Sequence, residues 1–86
     1  MTELTYTIKD PMGLHARPAG LMVKIIKSKK IDAKLIFNGV QVDATRLYQI
    51  MSLGVKQNDT FTLTFTGDNE EQVKNEVLAM FEEENL

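Results

Sequence analysis

The sequence predicts an α+β fold in which helices cover one face of a four-stranded, mainly antiparallel sheet. Segments with alternating apolar and polar residues, the pattern of half-buried strands, are interspersed with segments whose apolar residues recur every three or four positions, as in amphipathic helices. Together they give the order β-α-β-β-α-β-α. Threonines at the outward strand positions indicate that the other face of the sheet meets water. With 86 residues, the chain is expected to form one domain over 1–86.

The first third of the chain predicts a strand, a loop and a helix. The strand is expected where apolar residues alternate with polar ones, at Leu4, Tyr6 and Ile8. Residues 10–13 have the composition of a loop. A helix is expected over 16–27, with a break at 28–30. Its apolar face is formed by Ala19, Met22, Val23 and Ile26.

The middle third predicts a hairpin followed by a short helix. Apolar residues alternate over 33–37 and again over 40–42. The dipeptide Asn38-Gly39 between them is the strongest short signal for a hairpin, and it predicts a type I′ turn. A short helix is expected over 46–53, with Thr45 as its N-cap and Gly54 as its C′ residue.

The last third predicts the clearest strand of the chain and a final helix. In the strand, threonines alternate with three apolar residues, Phe61, Leu63 and Phe65. The pattern Asp68-x-x-Glu71 resembles a capping box with Asp68 as the cap. The apolar face of the helix that follows is formed by Val73, Val77, Met80 and Phe81.

Charge is distributed unevenly along the chain. Residues 1–43 carry 7 basic and 4 acidic side chains, a net of +3, and 44–86 carry 3 and 8, a net of −5, which gives the overall −2. Four basic residues lie close together, Lys24, Lys27, Lys29 and Lys30. The pI of 5.3 disfavours nucleic acid as their partner, and an acidic protein suits them better. The glutamates at 82–84 are expected to be a solvated helix end.

Several classes of protein are disfavoured by what the chain lacks. It has no cysteine, which removes disulfides, thiolate chemistry and cysteine-based metal sites and fits a reducing compartment. No signal peptide is visible at the N-terminus, and no apolar run approaches the roughly 20 residues of a membrane span. A cytoplasmic protein without membrane insertion is therefore expected.

The one histidine lies where the first predicted strand gives way to the first helix, in Gly13-Leu14-His15-Ala16-Arg17-Pro18-Ala19-Gly20. Free N–H groups at a helix start attract anions, and a neutral imidazole can form covalent intermediates. Arg17 can add charge-assisted hydrogen bonds, and the backbone N–H groups of Ala16 and Arg17 can donate as well. Reversible phosphoryl transfer requires this combination. The plainer alternative is that His15 is a helix cap or an ordinary surface residue.

Other chemistries have less support. One histidine without cysteine falls short of a zinc ligand set. The chain has no nucleophile elbow for a Ser-His-Asp triad and no glycine-rich nucleotide loop. No metal and no cofactor are expected.

Two motifs resemble those of a known family. Gly13-Leu14-His15-Ala16-Arg17-Pro18-Ala19 resembles the active-site motif of the HPr family, the histidine-containing phosphocarriers of the bacterial phosphoenolpyruvate-dependent sugar phosphotransferase system. Met51-Ser52-Leu53-Gly54-Val55 resembles the second signature of that family. The resemblance extends from Tyr6 to the last helix. It implies an open-faced β-sandwich, a four-stranded antiparallel sheet with three helices on one face.

The resemblance also implies a function. His15 would accept a phosphoryl group on Nδ1 from phosphorylated Enzyme I and pass it to the IIA domain of a sugar transporter. The chain would thus be a covalent intermediate in a relay rather than a turnover enzyme. Arg17 would hold the phosphoryl group and assist transfer in both directions. A carrier that moves between partners is expected to be a monomer.

A partner surface at the ends of the first two helices is implied as well. Its apolar centre would be formed by Gly20, Leu47, Tyr48 and Met51, with Lys24 and Lys27 at the rim. The spacing of the apolar residues does not decide whether Leu47 and Met51 lie at the surface, because both could belong to the core. Ile50 and Leu53 are expected in the core and Tyr48 at the surface. Leu21 and Ile25 lie off the main stripe of their helix and are candidates to extend the surface.

One position departs from the family pattern. Many members carry a serine six residues before Ser52, which a regulatory kinase phosphorylates, and this chain has Arg46 there. Arginine cannot accept that phosphoryl group, so regulation by the serine kinase is predicted to be absent. Two alternatives to a sugar-system carrier stay open: a regulatory protein-binding module, and a carrier of a paralogous branch serving nitrogen metabolism or a sugar kinase. The pair His15 and Arg17 favours a carrier, and the second signature favours the sugar branch.

Overall fold

All seven predicted elements are present in the computed structural model, which describes residues 1–86. The elements are β1 (Thr2–Thr7), α1 (Ala16–Lys29), β2 (Asp32–Phe37), β3 (Val40–Asp43), α2 (Leu47–Ser52), β4 (Thr60–Thr66) and α3 (Glu70–Glu83). Their order is β-α-β-β-α-β-α, as predicted. None of the three helices is both long and apolar enough to span a membrane.

The sheet has the strand order β1-β4-β2-β3, and every neighbouring pair is antiparallel. The last strand of the sequence, β4, therefore lies between β1 and β2. Leu63 of β4 is opposite Leu4 on one side and Leu35 on the other, so three leucines form one buried row. The strands β1 and β3 form the two edges of the sheet.

One face of the sheet carries the hydrophobic core, and the helices pack on it. Three aromatic rings meet beneath α3: Phe81 lies 4.9 Å from Tyr6 and 5.9 Å from Phe61 between ring centroids. The opposite face presents threonine pairs across β1 and β4, and the Thr7 and Thr60 hydroxyls are 2.8 Å apart. This confirms the open-faced arrangement with three helices on one side.

The hairpin between β2 and β3 has the turn that its dipeptide predicts. Asn38 and Gly39 both have positive φ angles, 51° and 77°. A type I′ turn requires this at both central residues, and asparagine and glycine adopt it at low cost.

The first two helices differ in length from their predicted ranges. Helix α1 runs to Lys29, two residues past the predicted end, and Lys30 closes it in the left-handed conformation. Helix α2 is shorter than predicted and covers Leu47–Ser52, with Gly54 following at a φ of +65°. Helix ends commonly differ by this much, because local sequence signals fix them weakly.

Two predicted caps are wrong. Arg46, not Thr45, is the N-cap of α2, because the Arg46 carbonyl accepts the Ile50 N–H at 3.1 Å. The hydroxyl and the N–H of Thr45 instead both donate to Asp43 Oδ1. Those bonds lower the pKa of Asp43. Asp68 does not cap α3 either. Asn69 takes that place in the left-handed conformation, and the Gly67 N–H donates to the Glu70 carboxylate instead.

Candidate functional site

His15 immediately precedes α1, at the junction that the sequence predicts. Its backbone is extended, and its carbonyl accepts the Ala19 N–H at 3.1 Å, as an N-cap residue does. Its imidazole makes no capping hydrogen bond. About a quarter of the side chain (26%) is exposed. The ring is thus accessible and plays no part in closing the helix, which removes the interpretation of His15 as a side-chain cap.

One edge of the imidazole faces Asp10, a residue that sequence reasoning did not single out. Nε2 lies 3.0 Å from Asp10 Oδ2, and Nδ1 has no hydrogen-bond partner within the protein. The pKa of Asp10 is lowered, first by the Met12 N–H that donates to its Oδ1 and also by His15. The available signal was the position of an aspartate in a proline-containing loop shortly before the histidine.

Gly13 brings the loop before His15 against the segment that follows α2. Its φ is +69°, and a Cβ there would lie 2.5 Å from the Val55 carbonyl oxygen. The next residue, Leu14, donates its N–H to that same oxygen at 3.0 Å. The two motifs of the sequence are therefore in direct contact, and glycine is required where they meet.

The first turn of α1 presents unpaired donors beside His15. The backbone N–H groups of Ala16 and Arg17 make no hydrogen bond within the protein, and the next residue, Pro18, has no N–H. The first turn contains no acidic residue. Free N–H groups at a helix start favour an anion, which fits the predicted role of these two backbone groups.

The guanidinium of Arg17 is bound to Glu84, near the end of α3, and makes no hydrogen bond to His15. Nε donates to Oε1 at 2.6 Å, and Nη2 is 3.5 Å from Oε2. This pairing raises the pKa of Arg17. Glu84 was expected to be solvated with its neighbours, but only 19% of its side chain is exposed. Glu82 and Glu83 are exposed, so the expectation for 82–84 is wrong for Glu84 alone.

The residues predicted for a partner surface differ in exposure. Tyr48 is 90% exposed and Met51 is 37% exposed, whereas Leu47 is half-buried against the core. Gly20 is half-exposed, and Lys24 and Lys27 are exposed and form no salt bridge.

The neighbouring apolar residues divide between core and surface. Ile50 is buried as expected, whereas Leu53 is only half-buried. Ile25 packs against the core, and Leu21 is half-exposed outside it. Met12, in the loop before His15, is 71% exposed and was not predicted as part of any surface.

No group of three or more potential ligands is placed to hold a metal ion. The site instead consists of an accessible imidazole, the unpaired backbone donors of α1 and the guanidinium of Arg17.

Comparison with known proteins places this chain and its fold in one class. The sequence matches the family described as PTS HPr component phosphorylation site over residues 2–83. It is 34% identical to the phosphocarrier protein HPr of Mycoplasma pneumoniae, and the alignment covers 100% of this chain and 99% of that protein. An HPr structure from Thermoanaerobacter tengcongensis has a TM-score of 0.89 at 34% identity, covering 99% of this chain and 96% of that one.

A second structure from the same organism, described as an HPr dimer, has a TM-score of 0.75 at 34% identity and covers 100% of this chain and 99% of that one. The family and the relatives that this chain matches are histidine phosphocarriers of the phosphotransferase system. The chain belongs to the HPr family.

Proposed function

We propose that this protein accepts a phosphoryl group on His15 from phosphorylated Enzyme I and passes it to IIA domains of sugar transporters. The observation that carries the proposal is the free Nδ1 of a half-buried imidazole next to the unpaired N–H groups of Ala16 and Arg17. Family membership supports it. This role places the protein in the cytoplasm, where it acts as a monomer.

The chemistry needs a lone pair and donors for the transferred oxygens. The Nδ1 lone pair attacks phosphorus, a nitrogen–phosphorus bond forms, the bond to the donor breaks, and its electron pair leaves with the donor. The backbone N–H groups at the start of α1 are placed to bind the phosphoryl oxygens. Transfer to a IIA domain reverses these steps with a new acceptor.

In its observed orientation Arg17 gives donors on Nε and Nη2 to Glu84, so fewer guanidinium donors are available to a phosphoryl group. The Glu84 carboxylate competes with the phosphoryl oxygens for the same guanidinium, so it lowers the occupancy of the productive arrangement. Because the Arg17 side chain is 70% exposed, water screens its attraction to Glu84 and the pair is weak. This weak pairing lets Arg17 move to the phosphoryl group as it arrives.

Replacing Glu84 by Gln is expected to raise the rate at which His15 is phosphorylated by about twofold to fivefold, because the free energy needed to release Arg17 falls. Stopped-flow or quench measurements with limiting Enzyme I give this rate. Glu83→Gln removes an equal charge from the neighbouring exposed residue and serves as the control. A lower rate in Glu84→Gln than in Glu83→Gln would contradict competition for Arg17.

Tyr48 and Met51 expose apolar surface on α2, and Lys24 and Lys27 are exposed on α1, which is in contact with α2. Exposed apolar side chains on one helix and unpaired cations on the next fit a partner whose surface combines apolar and acidic residues. Gly20 and the exposed part of Leu47 complete the proposed surface.

Tyr48→Ala is expected to raise the KM of Enzyme I for this protein about fivefold to tenfold and to leave kcat nearly unchanged, since the ring contributes to docking and not to chemistry. Initial rates of phosphorylation, measured at a fixed amount of Enzyme I over a range of concentrations of the variant, give both constants. Val40→Ala shortens another exposed apolar side chain, on the edge strand β3, and is expected to change neither. An unchanged KM in Tyr48→Ala would remove this residue from the docking surface.

Regulation through the serine kinase is absent in this proposal. Arg46 is exposed at the N-cap of α2, where the kinase-competent relatives would carry their serine. The nearby hydroxyl of Thr45 is already committed to Asp43.

The test is an intact-mass measurement after incubation with phosphoenolpyruvate and a trace of Enzyme I. A gain of one acid-labile phosphoryl group is expected, followed by its loss on addition of a IIA domain. No gain, with a known HPr labelled in parallel, would overturn the proposed carrier role. Size-exclusion chromatography of the same sample tests the monomeric state.

A further inference from the structure

Asp10 is the one side chain that forms a hydrogen bond with the His15 ring. We propose that Asp10 is a positioning residue that fixes the tautomer of His15: it accepts a hydrogen bond from Nε2–H and so leaves the lone pair on Nδ1. This inference rests on the proposed function and adds a residue that acts through the nucleophile.

The Asp10 carboxylate is held in one orientation by its own loop. Its Oδ1 accepts the Met12 N–H at 2.9 Å, which leaves Oδ2 to face the imidazole. The backbone of Asp10 is fixed on both sides, since its carbonyl accepts the Gly13 N–H and its N–H donates to the Leu86 carbonyl, each at 2.9 Å. Only 18% of the Asp10 side chain is exposed. The carboxylate therefore cannot turn away without breaking the turn.

An ionised carboxylate can only accept hydrogen bonds. The bonds from the Met12 N–H and from His15 both lower the pKa of Asp10, so the group is ionised at neutral pH. The ring nitrogen 3.0 Å away must then carry the proton, and in a neutral ring the other nitrogen carries none. The opposite tautomer would place a nitrogen lone pair against a carboxylate oxygen.

The same contact stabilises the ring after transfer. When Nδ1 forms its bond to phosphorus and the donor takes the electron pair of the broken bond, Nε2 keeps its proton and the ring becomes a cation. That positive charge lies next to the negative charge of Asp10, 3.0 Å away. Asp10 thus favours the reactive tautomer before transfer and the charged ring after it.

Asp10→Asn is a specific test because it reverses the direction of the hydrogen bond to His15 Nε2 and keeps the bond from the Met12 N–H. With the amide oxygen still accepting the Met12 N–H, the NH₂ group faces Nε2 and donates to it. The proton then moves to Nδ1 and blocks the nucleophile. Long-range ¹H–¹⁵N correlation spectra at about pH 8.5, above the ordinary titration range of imidazole, report which ring nitrogen is protonated.

Two other variants define the comparison. Asp59→Asn is the matched control, because Asp59 accepts a backbone N–H from Lys56 in a nearby loop at 2.9 Å but does not contact His15. Asp10→Ser keeps a short acceptor for the Met12 N–H without reaching the ring, so it is expected to give a mixture of tautomers. Thermal unfolding of each variant shows that the fold is retained.

The expected result is Nε2–H in the wild type and in Asp59→Asn, Nδ1–H in Asp10→Asn, and a phosphorylation rate by Enzyme I that falls at least about tenfold in Asp10→Asn. The same tautomer in wild type and Asp10→Asn, or Nδ1–H in the wild type, would overturn the inference. So would a changed tautomer with an unchanged rate. If the tautomer changes as expected but wild-type protein is never phosphorylated, Asp10 still sets the tautomer and it is the carrier function that fails.

Discussion

His15→Ala is expected to abolish phosphorylation from phosphoenolpyruvate and Enzyme I completely. The chain has no second histidine, so no other imidazole can take over as the nucleophile. Arg17 and the backbone donors of α1 remain in this variant, but they bind a phosphoryl group without forming a bond to it. Intact mass after prolonged incubation should show only unmodified protein, whereas the wild type gains one group.

The fold of His15→Ala should be nearly unchanged, because the imidazole makes no capping bond and packs in no core cluster. Stability within about 1 kcal/mol of the wild type is expected, because the one side-chain interaction lost is the hydrogen bond to Asp10. Acid treatment provides a second control, since phosphohistidine is acid-labile and phosphoserine or phosphothreonine is not. An acid-labile group on the alanine variant would remove His15 from the role of phosphoryl acceptor.

Gly13→Ala is expected to be the most damaging small substitution for the fold. Its Cβ would lie 2.5 Å from the Val55 carbonyl oxygen and 2.9 Å from the Lys56 Cα, both of them backbone atoms, and its φ of +69° is unfavourable for alanine. We expect a loss of about 3 kcal/mol or more in the free energy of unfolding, from backbone strain and displacement together. That is a large part of the roughly 4–13 kcal/mol that a domain of this size has.

Gly54→Ala separates the cost of a positive φ from the cost of the close backbone contact. Gly54 has nearly the same φ, +65°, but a Cβ there would meet nothing within 4 Å. It should cost only the conformational part, about 1–2 kcal/mol. Urea unfolding of both variants measures the difference. Equal losses in the free energy of unfolding would mean that the Gly13 loop can move away from Val55 without cost. The close contact between the two motifs would then contribute nothing to stability.

The parts of the fold that the sequence predicted well depend on short-range patterns. Alternation at Phe61, Leu63 and Phe65 was sufficient to place β4, because one buried face imposes a period of two. Asn38-Gly39 was sufficient for the hairpin, since few other residues accept positive φ at both positions. The location of His15 before a helix followed from similar local signals.

The parts that could not be predicted depend on competition or on distant contacts. Thr45 had the chemistry of a cap, but its hydroxyl donates to the Asp43 carboxylate and accepts no N–H from the first turn of α2. Arg17 pairs with Glu84, 67 positions later in the chain, which no local pattern reports. Asp10 is only five residues from His15, yet its contact depends on the turn that its own Oδ1 forms with the Met12 N–H.

The position of β4 has a consequence for how the chain folds. The central strand of the sheet is the last one in the sequence, and Leu4 of β1 finds its partner Leu63 only 59 positions later. A chain emerging from the ribosome can form α1 and the β2–β3 hairpin early, but β1 has no neighbour until β4 has been made. At about 5–20 residues per second, β1 therefore waits several seconds for its partner during synthesis. Refolding of the complete chain should likewise be limited by closing this long loop and should be slower than that of a helical bundle of equal length.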